Sequence, residues 1–166
     1  AFDYIDGVYA PVIASALERY GTGCSAVFVS GGGNDFAGFT DLRPLLDVDC
    51  SERTTEEACF TGGAGPHPVH TLFDRVKQSY IALIDLVAAH VPASARIYVH
   101  NYDYALPSGK PVIGGKAWLK PALVAAQVPV PLRAGCVRYL IDQFSLRLAD
   151  LETRYAGRVV FVDSRG

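Results

Sequence analysis

The stretch Ala26-Val27-Phe28-Val29-Ser30-Gly31-Gly32-Gly33-Asn34-Asp35 is an apolar run that stops abruptly at a polar, glycine-rich turn. Its first four residues are β-prone and do not alternate with polar ones, which is how a strand buried on both faces reads. Ile97-Tyr98-Val99 and Val159-Val160-Phe161-Val162 have the same character. A helical pattern precedes each run. Val12, Ile13, Ala16, Leu17 and Tyr20 come before the first, and Val69, Leu72, Phe73, Val76, Tyr80, Leu83 and Val87 before the second. Val137, Leu140, Ile141, Phe144, Leu148, Leu151 and Tyr155 precede the third. Spacings of three and four put each set on one stripe of a helix.

Punctuation agrees with this alternation. Pro11 suits a first helical turn, Pro92 closes the second helix, and Gly21 and Gly157 fall where a left-handed C-cap is expected. Helix and strand repeated three times predicts an α/β fold with a parallel sheet covered by helices on both faces, a three-layer α/β/α arrangement. With 166 residues, 50% of them hydrophobic, and no repeat or linker, one domain over 1–166 is expected. The connections Phe36 to Pro68 and Asn101 to Leu132 are long, and the second has room for a short helix near Trp118 to Gln127. Long insertions commonly serve a site.

Composition removes several function classes. Seventeen acidic against fifteen basic residues give a net charge of -2, with no basic run to track a phosphate backbone, so nucleic acid is not an expected partner. No apolar stretch approaches the roughly 20 residues that span a bilayer. Ala1-Phe2-Asp3 lacks the basic and apolar regions of a signal peptide. Cys24, Cys50, Cys59 and Cys136 contain no Cys-x-x-Cys pair, so neither a metal site nor a cofactor is expected. Cys50 and Cys59 flank a polar stretch and are either a loop-closing disulfide or two free thiols; a bridge would favour a secreted or periplasmic protein. Cys24 and Cys136 read as buried small hydrophobes.

In open parallel sheets, ligands bind beyond the carboxyl ends of the strands. Three polar segments sit there: Ser30 to Asp35, His100-Asn101-Tyr102-Asp103-Tyr104, and Asp163-Ser164-Arg165-Gly166. In the first, the glycines permit a sharp turn and present Asn34, whose amide can donate to a developing oxyanion without titrating. The alternative is a plain turn capped by Asn34 and Asp35. A phosphate cradle is disfavoured, because no lysine follows and Gly-x-Gly-x-x-Gly is absent. His100 and Tyr102 are pocket candidates, although a hydrogen-bonded loop histidine and a packed tyrosine read equally well. Tyr104 is read in the same way. His90 lies near a helix C-terminus, where a cation is favourable. His67 and His70 read as solvent-facing or capping residues at a helix start.

Val27-Phe28-Val29-Ser30-Gly31-Gly32-Gly33-Asn34-Asp35 resembles the Gly-x-Asn-Asp block of the SGNH (Gly-Asp-Ser-Leu) hydrolases, the esterases and lipases in which that block follows a buried strand. Ile97 to Tyr104 and Val160 to Gly166 echo later blocks of the same family at suitable distances. The resemblance implies a flavodoxin-like arrangement. It also implies hydrolysis of small-molecule carboxylic esters or lipids, with Gly32 and Asn34 in the oxyanion hole and Gly33 and Asp35 as supporting neighbours.

The departures are equally specific. The Gly-Asp-Ser nucleophile block, the second glycine block and the Asp-x-x-His block have no counterpart in residues 1–166. The expectation is therefore a central portion of a larger hydrolase, incomplete at both ends, that supplies the oxyanion asparagine but neither nucleophile nor base. Ser15 and Ser25 fall in or beside regular structure, and a rearranged site of Ser164 with a histidine is disfavoured, because Val162 stands where a glycine is needed. The serine-bearing strand would lie beside the strand ending at Ser30, so that edge is expected to be open and to promote self-association. A non-catalytic α/β domain that holds a ligand or partner at the same strand ends is the competing expectation.

Overall fold

The computed structural model describes residues 1–60, 67–110 and 118–166; parts of both long connections, 61–66 and 111–117, lie outside the described residues. The chain is α/β with a three-stranded parallel sheet in the order β1-β2-β3, where β1 is Ala26–Val29, β2 Arg96–His100 and β3 Val159–Val162. Helices α1 (Ala10–Tyr20), α4 (Pro68–His90) and α6 (Arg133–Arg154) precede the strands as the periodicity predicts. The first long connection contains two single turns, α2 (Asn34–Ala37) and α3 (Phe39–Leu42), and the second contains α5 (Lys120–Ala125), inside the expected span. This layout is compatible with helices and sheet in α/β/α layers. No helix among the described residues is long and apolar enough to cross a membrane.

Contacts group the residues into two compact units. The first, Ala1–Gly32, Phe73–Asn101 and Phe144–Ser164, holds the sheet. In it Val29, Ile97, Val99 and Val159 are buried, together with Phe73, Val76, Tyr80, Ile84 and Val87 of α4 and Phe144, Leu148 and Leu151 of α6. Phe73 and Phe144 meet with ring centroids 5.7 Å apart, and Lys77–Asp150 and Arg147–Asp74 ion pairs flank that seam. The register aligns Phe28, Tyr98 and Val160 in one row on the other side of the sheet. There Phe28 stacks on Tyr98 at 4.9 Å and is 77% exposed. Among the described residues β1 pairs only with β2, and no strand lies on its other side.

The second unit comprises Gly33–Leu72, Tyr102–Gln143 and Arg165–Gly166. Its core contains Phe36, Leu42, Leu45, Phe60, Leu123, Val128 and Leu140. Leu119 has φ 59 and ψ −65, and Lys120 N–H donates to Trp118 O at 2.6 Å, a γ-turn of the strained, positive-φ kind. The Leu119 N–H in turn donates to Ala37 O at 3.0 Å, which anchors α2.

Several local expectations need correction. Gly21 is not a left-handed cap: its φ is −55 and the chain runs on into a 3-10 turn, Gly21–Gly23. Its smallness serves packing, since a Cβ there would lie 2.7 Å from the His90 carbonyl oxygen. Gly157, at φ 76, does take the left-handed form. The Cys50–Cys59 bridge is not formed; both are buried free thiols. Cys24 is only partly buried, with its thiol directed at Tyr20 O, whereas Cys136 is buried. His67 does sit in the cap position ahead of α4, its carbonyl accepting from Thr71 N–H at 3.0 Å, but both histidine side chains are half-buried and not simply solvent-facing. Their rings stack at 4.5 Å, His70 Nε2 meets Tyr139 Oη, and both His67 ring nitrogens are inaccessible with no hydrogen-bond partner among the described residues.

Candidate functional site

The turn after β1 is lined by aromatic side chains. In the first unit the Tyr4 hydroxyl donates to Ser30 O, and the Tyr80 hydroxyl donates to Gly31 O at 2.9 Å. A Cβ on Gly31 would approach the Tyr4 ring to 2.7 Å, and one on Gly32 would lie 2.9 Å from Phe144 Cζ. Gly32 also adopts φ 99, a region that L side chains rarely occupy. In the second unit Gly33 N–H donates to Tyr102 Oη at 3.3 Å, and a Cβ there would sit 3.1 Å from the Tyr102 ring. The glycines thus serve close aromatic approach as much as the turn itself.

Asn34 begins α2, and Gly33 occupies the N-cap position with no side-chain cap hydrogen bond. Phe36 and Ala37 N–H both return to Gly33 O. Asn34 is exposed, and its side chain makes no hydrogen bond among the described residues. Asp35, half-buried, lies in the same first turn. Gly32, by contrast, is buried. The cap reading of Asn34 does not describe this geometry; an amide directed to solvent does.

The strand ends β2 and β3 are joined by a residue the sequence reading passed over. Asn101 is fully buried; its Nδ2 donates to Ser145 Oγ at 2.7 Å and to Asp163 Oδ1 at 2.6 Å, and its Oδ1 accepts from Ser164 N–H at 2.6 Å. All the hydrogen-bonding capacity that matters for a buried amide is used. Ser164 is exposed and held through its backbone, not its hydroxyl. His100 Nδ1 lies 2.6 Å from the Asn101 carbonyl oxygen. Since a carbonyl only accepts, the neutral ring carries its proton on Nδ1. His100 is thus the last residue of β2, paired with Val162, with its ring turned onto the next carbonyl.

The remaining candidates are structural in their contacts. Tyr104 Oη donates to Asp142 Oδ1 at 2.8 Å, a bond that raises the phenol's pKa, and Arg138 stacks over its ring at 5.2 Å. Arg165 pairs with the same carboxylate at 2.7 Å. His90 Nδ1 meets Leu86 O at 2.8 Å within the last turn of α4. Elsewhere in the second unit an open hollow of about 500 Å³ lies among Ser108, Gly109, Lys120, Pro121, Val124 and Ala125. None of the residues singled out from the sequence lines it. Among the described residues no group of three or more His, Cys, Asp or Glu side chains could hold a metal ion.

No family model, curated protein or solved structure matches this chain.

Proposed function

We propose that residues 1–166 form the oxyanion-binding portion of an SGNH-type serine esterase or lipase with a flavodoxin-like α/β/α arrangement, acting on carboxylic esters of small molecules or lipids. The observation that carries this reading is the exposed Asn34 amide, set just past β1 by an aromatic-clamped glycine turn and engaged by no side-chain hydrogen bond among the described residues. In this role Asn34 Nδ2 donates to the carbonyl oxygen as it becomes an oxyanion, without itself titrating. Gly32 keeps the turn tight, its amide being the second donor in this reading, and Tyr102 holds Gly33. In this reading the chain contributes oxyanion donors, and the reaction further requires a nucleophilic serine and a histidine base. The serine adds to the ester carbonyl, the histidine takes its proton, and collapse of the tetrahedral adduct expels the alcohol.

The absence of both blocks from residues 1–166 favours one other reading, a non-catalytic α/β domain that uses the same turn to hold a ligand or partner. The two part company on a full-length protein given a short-chain nitrophenyl ester and a serine-directed phosphonate. Turnover and labelling are expected, and Asn34→Ala should lower kcat roughly a hundredfold to a thousandfold while the unfolding midpoint stays put. A full-length protein that neither turns over the ester nor takes the label favours the binding domain. Unchanged kcat in Asn34→Ala removes Asn34 from the mechanism.

A further inference from the structure

Three of the four cysteines meet in the second unit. Cys50, Cys59 in the 3-10 turn Glu57–Phe60, and Cys136 in the first turn of α6 are all fully buried free thiols. Cys59 is the neighbour common to the other two, since burial and then Cys59 raise the pKa of both the Cys50 and the Cys136 thiol. Cys50 Sγ lies 3.7 Å from Cys59 O, Cys59 Sγ 3.6 Å from Thr55 O, and Cys136 Sγ 3.9 Å from Glu56 O. All three sulfurs are thus gathered around the same short segment, Thr55 to Cys59. The Cys50 backbone is itself held in place, its N–H donating to Ala126 O at 2.8 Å.

Packing alone accounts for one buried cysteine, which behaves as a small hydrophobe. Three fully buried thiols gathered around the one segment Thr55 to Cys59 offer more than packing, because Cys59 then has two cysteine neighbours as alternative partners. We propose that this cluster is a redox-reactive site in which a low-molecular-weight disulfide oxidises Cys59 into an intramolecular bridge with either Cys50 or Cys136. The Cys59 thiolate attacks one sulfur of the small disulfide and expels its other half as a thiolate, leaving a mixed disulfide on Cys59. The thiolate of Cys50 or Cys136 then attacks the Cys59 sulfur and expels the second half. The protein loses two hydrogens and the small disulfide is reduced to two thiols.

Reactivity here is gated by burial. Desolvation, and then the neighbouring Cys59, push the Cys50 thiol up to about 12, and Cys136 is raised for the same reasons. Exchange therefore proceeds through opening of the segment, not on the closed structure. The two products differ mechanically. A Cys50–Cys59 bridge closes a short loop, whereas Cys59–Cys136 ties the Glu57–Phe60 turn to α6 across a much longer one and restricts the unfolded chain more.

The test equilibrates the intact protein in glutathione and glutathione-disulfide buffers, with and without low urea to speed opening, followed by acid quench, intact mass and peptide mapping. The wild type is expected to lose two hydrogens and form a bridge that always contains Cys59, with Cys24 still reactive to alkylation. Cys50→Ser should divert the bridge to Cys59–Cys136 and raise Tm on oxidation by more than Cys136→Ser does; Cys59→Ser should form none. Four reduced thiols in the most oxidising buffer with urea present, or a map showing Cys50–Cys136 or Cys24 bridges, overturns the proposal. The wild-type map decides the matter even if a variant does not fold.

Discussion

Asn101 Nδ2 donates to Asp163 Oδ1 at 2.6 Å, which ties the residue after β2 to the residue after β3. The same amide satisfies Ser145 Oγ from below and Ser164 N–H from above. One buried side chain therefore sets where the chain leaves the last strand. Asn101→Ala removes the buried amide's bonds to Ser145 Oγ, Asp163 Oδ1 and Ser164 N–H and should cost about 1–3 kcal/mol, read from urea unfolding. Asn101→Asp places an acceptor opposite Asp163 and should be worse than alanine at neutral pH but recover toward it in acid, where a carboxyl can donate. Equal midpoints for the two variants across pH would contradict this account.

The glycine turn makes a ranked prediction. Gly32→Ala combines positive φ with a collision against Phe144 and should be the most costly, at about 1–3 kcal/mol. Gly33→Ala meets the Tyr102 ring at 3.1 Å and should cost less. Gly23→Ala meets nothing within 4 Å and has no positive φ, so the reduced freedom of its unfolded chain should make it neutral or stabilising by about 0.4–1 kcal/mol. Thermal unfolding of the three variants gives the order directly, and a Gly32→Ala as stable as Gly23→Ala would refute it.

His67 sets a pH dependence. Burial first, and then the charge of stacked His70, lower its pKa, against an opposing pull from Glu57; the Tyr139 ring also faces it. A base whose pKa is depressed on folding binds its proton more readily in the unfolded chain. Its contribution is therefore fully present above the ordinary histidine value near 6.5 and is lost as pH falls from there through the lower folded value. Urea midpoints should drop between neutral and mildly acidic pH, and His67→Phe should flatten that part of the curve. An identical slope in the variant would assign the effect elsewhere.

The open edge of β1 presents apolar residues without a lysine, proline or bulge to deter pairing, and Phe28 beside it is largely exposed. Residues 1–166 should self-associate in a concentration-dependent way, and Phe28→Lys should reduce that association with little loss of stability. Sedimentation showing the wild type monomeric at high concentration would argue against the edge as an adhesive surface.

Strands and helices were legible because each carries its own period: Val159 to Val162 and the stripe from Val137 to Tyr155 need no distant partner to be recognised. The order of elements then implied a parallel sheet. What was not legible depends on residues far apart in the chain. Nothing near Gly31 or Gly32 announces Tyr80 and Phe144, and Asn101 looks like any polar residue after a strand until Ser145 and Asp163 are placed around it. Gly21 illustrates the same limit: a glycine after a helix suggests a left-handed cap, but here the close His90 carbonyl sets the requirement. The approach of Cys136 to the Thr55–Cys59 segment, like that of Tyr139 to His67 and His70, exists only once α6 is in position. The position of Asn34 just past the first strand was legible because the glycine turn that follows Val29 is local.

Trp118, the sole tryptophan, directly precedes the strained Leu119 whose N–H grips the last residue of α2. Its indole is 42% exposed, between solvent and interior, where emission responds to small changes in surroundings. The chain thus carries a built-in fluorophore at the anchor of the turn that presents Asn34. Occupancy or loosening of that region can be followed by a shift in emission wavelength, without any added label.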